Sequence, residues 1–137
     1  MARLKLEIEA DPEVNVIGIS SHVRDHRLCW SINRTLGMEL TRRRNGIEEM
    51  QNGRPAEFTA FDQFDEDAQA NCTLVNNHSA EGVLLRDLRQ ADFFLVVDHE
   101  WNEPLEHLLG RLRQAEFVLA AFPLSFAQLK EGHKLLM

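Results

Sequence analysis

Cysteine is scarce in this 137-residue chain. Cys29 and Cys72 are the only two, far apart and in no zinc-ligand spacing. They are expected to be buried free thiols in a reducing compartment, where Cys packs as a small hydrophobe. Long apolar runs are missing as well, so no transmembrane helix is expected. The first residues, MARLKLEIEADPE, alternate apolar and charged side chains. They lack the continuous apolar core and small-residue cleavage site of a signal peptide. The expected location is the cytoplasm. Asn-x-Ser/Thr triplets at Asn33, Asn71 and Asn77 are then chance matches.

Basic charge is in deficit, with 15 Lys and Arg against 22 Asp and Glu and a net charge of −7. Duplex-binding domains show the opposite balance, so nucleic acid is an unlikely partner. The one dense basic run, Arg42, Arg43 and Arg44 with Arg54 nearby, leaves a local patch for an acidic partner. Acidic residues gather in FDQFDEDAQ. No phosphate loop, dinucleotide fingerprint or nucleophile elbow occurs. Gly18 and Gly110 are isolated, and Ser20 and Ser21 sit at a strand-to-helix junction, where they read as caps.

What is present is ordinary globular composition, 44% hydrophobic and 27% charged, at a length that predicts a single domain over 1–137. Leu4, Leu6 and Ile8 alternate with charges as a strand, which Asp11-Pro12 breaks. VNVIGIS, Val14 to Ser20, predicts a buried strand. A helix is predicted from about His22 to Leu36, with Leu28, Cys29, Ile32 and Leu36 in one stripe and Gly37 as its stop. MELTRRR resumes as a strand. Residues 45 to 55, with two Asn-Gly pairs and a Pro, predict a loop or hairpin. AEFTAFDQF and NCTLVNN read as strands, the first with Phe58, Ala60 and Phe64 on one parity. Leu84, Leu85 and Leu88 lie in a stretch too short to classify. ADFFLVV, Ala91 to Val97, is the clearest buried strand.

Asn102 offers an N-cap, with Glu103 and Pro104 in the first turn. Leu105, Leu108, Leu109 and Leu112 then make an apolar helix face, and Arg111 and Arg113 complement the dipole at its end. EFVLAAFPLS is a last strand and a short helix closes the chain. Its apolar end, Leu135, Leu136 and Met137, is expected to pack, preferentially on this domain. Strand–helix–strand thus occurs near 14–44 and near 91–124, joined by antiparallel strands. The expected fold is α+β, a mostly antiparallel sheet with two main helices on one face, ferredoxin-like with extra strands and right-handed crossovers.

Several polar residues invite a functional reading. His22 and His26 stand four apart, but no Glu follows His22 and no third ligand is evident, so no metal and no cofactor are expected. Asp25 falls at the start of the predicted helix, where a carboxylate accepts free backbone N–H groups. Acid–base work would need a second group, for which Asp92 and His99 are the candidates. Val23, His26, Trp30 and Asn33 form a strip beside the apolar stripe, a candidate partner surface. Arg27 and Arg34 point away from the core.

The stretch GISSHVRDHRLCWSINRTLGMEL resembles the IPExxxVDY family of the Bacteroidetes lineage. Asp25, Arg27, Leu28, Asn33, Leu36 and Gly37 match the family's early pattern, with His26 in place of an aromatic. The naming motif falls on LRDLRQADF, where Leu85, Arg86, Asp87, Ala91, Asp92 and Phe93 take its six fixed positions and Asp92 is identical. The ending LKEGHKLLM is similar to the family's C-terminus. The resemblance implies a lineage and brings no activity, cofactor or catalytic residue with it. The expected function is therefore a non-catalytic adaptor, acting through a protein partner or as a homo-oligomer. The alternatives are a small-molecule-sensing regulatory domain of ACT type and, third, an enzyme.

Overall fold

The computed structural model describes residues 13–137, and the strand expected at Leu4 to Ile8 lies outside them. Strand β1 (Val14–Ser20) buries Val16 on one face and Ile17 and Ile19 on the other, as a short run rich in β-branched residues should. Helix α1 (Asp25–Leu36) follows. It starts three residues later than expected, because neither serine caps it. Its N-cap is Arg24, without a side-chain bond. Ser20 Oγ donates instead to the Gln90 carbonyl, and Ser21 Oγ accepts the Val23 N–H. Gly37 ends the helix in the left-handed conformation, φ 65°.

MELTRRR contributes only a two-residue strand, β2 (Thr41–Arg42). Residues 45 to 55 lie within a hairpin, β3 (Ile47–Gln51) with β4 (Arg54–Phe58), whose turn uses Asn52 and Gly53 at positive φ. Thr59 then interrupts the strand reading of AEFTAFDQF, so β5 (Ala60–Asp65) begins afresh. The break buries both Phe58 and Phe61 and leaves Phe64 exposed. Next come β6 (Ala70–Asn76), the small ribbon β7 (His78–Ser79) and β8 (Gly82–Val83), a 3₁₀ turn at Arg86–Leu88, and β9 (Phe93–Asp98).

Helix α2 (Leu105–Leu112) buries Leu108, Leu109 and Leu112. Asn102 does not cap it. Pro104 holds that position, and Asn102 Nδ2 donates to Asp65 2.9 Å away. Strand β10 (Ala120–Leu124) and two 3₁₀ turns, Phe126–Gln128 and Gly132–Leu136, complete the chain.

Among the described residues six strands form one sheet in the order β10-β1-β9-β6-β5-β2, every neighbour antiparallel. Both helices pack on one face, where Leu28, Ile32, Leu108 and Leu112 meet Ile17, Ile19, Leu74, Leu95 and Val97. Arg111 ties the helices together. It donates to both Glu103 oxygens and to the Thr35 carbonyl at the end of α1. The opposite face carries a second core, in which Val16, Val75, Phe94 and Val96 are covered by Ile47, Phe58, Leu84 and Leu135. Gly18 faces this side, and a Cβ there would come within 2.4 Å of the Phe122 ring. The sheet is thus a shared wall between a helical layer and a layer made of the hairpin, the 84–88 segment and the C-terminal tail.

The tail packs on this domain through one of its three apolar residues. Leu135 is buried, whereas Leu136 and Met137 are exposed. Lys134 holds it down, donating to the Leu84 carbonyl and pairing with Glu49 and Glu131. Arg43, in a two-bond pair with Asp62, also donates to the Met137 carbonyl. No helix among the described residues is long and apolar enough to cross a membrane.

Candidate functional site

Two places gather the polar and aromatic residues singled out by the sequence. The first is an open cleft of about 310 Å³ where the start of α1 meets the ends of β1, β6 and β9. Ser21, His22, Asp25, Asn76, His78 and Asp92 line it. The topology explains the meeting. β1 and β6 flank β9, run parallel to each other and finish where β9 begins. Asp25 and Asp92, 67 positions apart in sequence, therefore share one cleft. His99 does not join them. Its N–H bonds the Glu13 carbonyl at the other end of β9.

The cleft carboxylates are engaged with their own chain. One oxygen of Asp25 accepts the His26 N–H at 2.7 Å and the other accepts the Thr59 hydroxyl at 2.7 Å. Burial pushes the carboxyl up, but these bonds and the charge of Arg42 outweigh it and hold Asp25 below its ordinary value. Asp92 accepts the Ser21 N–H at 2.9 Å with one oxygen and meets His78 Nε2 at 3.2 Å with the other. Its backbone bonds Ile19 and Asn77. Asp92, at the entry to β9, thus ties that entry to the end of β1, an architectural duty. Asp92 and His78 form a dyad. Nucleophilic catalysis needs an activated third group, and both nearby serine hydroxyls are bonded to backbone.

The second place is the outer face of α1. Four of its residues are exposed, His26, Arg27, Trp30 and Arg34, and they fall in one row at helical spacing. Trp30 is 52% exposed. The Arg34 guanidinium lies 5.3 Å from the Trp30 ring centre, and that of Arg27 lies 4.6 Å from the Phe117 ring. Phe117 has φ 76°, a conformation that costs a bulky L-residue about 1–3 kcal/mol. The side chains of Arg27, Trp30, His26, Glu116 and Phe117 frame a shallow apolar groove.

The predicted strip of Val23, His26, Trp30 and Asn33 is therefore only half surface. Val23 packs against the helical core. Asn33 takes both bonds of the Leu40 backbone, accepting its N–H at 2.9 Å and donating to its carbonyl at 3.1 Å. This staple turns the chain from α1 toward β2, which is why a polar residue stands there. Arg27 points away from the core as expected, and its guanidinium stacks on Phe117.

Cys29 is buried on the inner face of this helix, and burial, against a contact from Asn33 and with the charge of Asp25, pushes its thiol up to about 11. Cys72 is buried too, and its thiol is raised further by the same cause. Burial thus disfavours the thiolate form of both. Among the described residues no group of three His, Cys, Asp or Glu side chains could hold a metal ion. Asn77 was legible only as a chance triplet, yet it is fully buried. Its amide donates to the carbonyls of Leu88 and Ala91 and accepts the Leu85 N–H.

Comparison with protein-family models finds no match. None is found among curated proteins or solved structures either. The fold and the site therefore define an α+β protein with a helical layer on a mostly antiparallel sheet, and the two surfaces carry the rest of the argument.

Proposed function

We propose that the protein is a non-catalytic binding or adaptor protein that engages a protein partner through the outer face of α1. The observation that supports this most is the makeup of that face. Its exposed residues are two arginines, a histidine and a half-exposed indole, with no exposed carboxylate among them, on a chain whose net charge is −7. Trp and Arg are the side chains that anchor interfaces. Against an enzyme stands the cleft, whose carboxylates are bonded to their own backbone and neighbours. Residence in the cytoplasm and kinship with the IPExxxVDY family belong to the same proposal, and a nucleic-acid partner is disfavoured by the overall charge.

A small-molecule-sensing role is the second reading, favoured by the 310 Å³ cleft. The strand order β10-β1-β9-β6, with a helix between β9 and β10, agrees with a ferredoxin-like core of the kind ACT modules use. β2 to β5 are then an insertion before β6.

The test is capture of bound protein by the tagged chain and by a Trp30→Ala/Arg27→Ala variant, after both are shown to melt alike. A protein retained by the parent and lost by the variant supports the adaptor. An identical set on both overturns it. The sensor reading instead expects a metabolite that raises the melting temperature of the parent and leaves Asp92→Asn unmoved.

A further inference from the structure

We propose that the partner of the α1 face is a second copy of this chain, which docks the acidic β5–β6 turn into the groove beside Trp30; the inference rests on the adaptor reading and names its partner. The turn is the chemical complement of the groove. Phe64 is 49% exposed, and Glu66 and Asp67 beside it are exposed carboxylates. The groove offers an apolar floor at Trp30 and Phe117, flanked by the cations Arg27 and Arg34. Aromatic anchors ringed by opposite charges are the usual content of a specific protein contact. Glu116 is the one carboxylate of the groove, at its rim.

The turn is stiff enough to act as a fixed plug. Asp65 accepts the N–H groups of Asp67 and Ala68 as well as the Asn102 amide, and Gln69 donates to the Glu66 carbonyl. Little ordering entropy is then lost on docking. It also cannot reach its own groove. The turn leads into β6 at Ala70, whereas Phe117 of the groove lies two residues before Leu119, whose N–H bonds the Ser20 carbonyl at the opposite end of the sheet, six residues of strand away. Six residues of strand span about 20 Å. Plug and socket are different surfaces of one molecule, so the contact is heterologous. Each docked pair keeps one free plug and one free socket, and the assembly grows as a chain or closes as a ring.

Sedimentation velocity across a concentration series tests this. The parent is expected to associate with rising concentration, and to dissociate as salt is raised from about 0.05 to about 0.5 M, where screening shortens to a few ångström. A socket variant, Arg27→Glu/Trp30→Ser, and a plug variant, Phe64→Ser/Glu66→Lys, change only exposed side chains and should melt with the parent. Each alone should stay monomeric. Mixed in equal amounts they should form a one-to-one dimer and nothing larger, because one intact plug meets one intact socket. A parent that remains monomeric throughout overturns the proposal, as does association that only one variant abolishes or a mixture that stays monomeric. If the parent is monomeric while the capture experiment still yields another protein that needs Trp30, the copy is the wrong partner and the adaptor reading stands.

Discussion

Replacing Asn77 by Ala should be among the most damaging single changes available in this protein. The side chain is fully buried and makes three bonds, donating to the carbonyls of Leu88 at 3.1 Å and Ala91 at 2.8 Å and accepting the Leu85 N–H at 2.8 Å. Alanine leaves all three backbone groups without that partner. A buried unsatisfied group costs about 1–3 kcal/mol. The Leu88 carbonyl is half-buried and still accepts the Ala91 N–H, so the loss falls on the other two groups and sums to about 2–6 kcal/mol. Small domains are stable by about 5–15 kcal/mol in total, so the variant should fold but only marginally. Equilibrium urea denaturation is the assay, with an expected fall of about 2 M in midpoint at an unchanged slope. Asn77→Asp provides the control. It keeps an acceptor for Leu85 but turns a carboxylate on two carbonyls, which raises its folded pKa. Its deficit should be greatest at neutral pH and shrink as the pH falls and the group protonates. A midpoint within about 0.3 M of the parent for Asn77→Ala would refute the reasoning, since the slope converts that to under about 1 kcal/mol.

Leu108→Ala, at a fully buried position of α2, should lower unfolding free energy by about 2–5 kcal/mol, read in the same titration. Deleting residues 135–137 removes the buried Leu135 and should cost about 2–3 kcal/mol, seen as a lower melting temperature of the isolated protein. Burial opposes the Lys134 charge, but Glu49 and Glu131 raise its pKa above the ordinary 10.5. Its contribution is present below that value and disappears as pH rises through the folded pKa, so Lys134→Met should narrow the alkaline stability difference to nothing. Asp62 is likewise pushed up by burial and pulled below 3.8 by Arg43 and Thr73. Its stabilisation is complete above the unfolded value and lost as pH falls through the folded one. Asp62→Asn should therefore flatten the acid limb of a stability–pH curve below about pH 4.

The helical layer was legible because its signal is periodic. Leu28, Cys29, Ile32 and Leu36, and Leu108, Leu109 and Leu112, announce two buried faces by spacing alone, and VNVIGIS and ADFFLVV announce strands covered on both sides. The second core was not legible, because it is assembled from Ile47, Phe58, Leu84 and Leu135, single residues in irregular segments that no period connects. Boundaries failed where polar side chains chose distant partners over local ones. Asn102 bonds Asp65 rather than capping α2, and Ser20 bonds Gln90 rather than capping α1. The shared cleft of Asp25 and Asp92 depends on strand order, which spacing does not encode. Asn33 and Trp30 looked equivalent on a helical wheel, yet one grips Leu40 and the other faces solvent, a distinction made only by where the chain goes after Gly37.

The place of β1 between the last two strands of the chain has a consequence for synthesis. Its two neighbours are β9 and β10, and the pairing of Val16 with Leu124 joins residues 108 positions apart. VNVIGIS leaves the ribosome well before both strands that cover its edges. For most of translation it is an apolar, β-branched segment with two open edges, the kind of sequence that pairs with copies of itself when left waiting. Contacts this distant also make the final closure slow. A nascent chain halted after β6 should therefore hold a chaperone, and release it only when β10 has emerged to fill the outer side of β1.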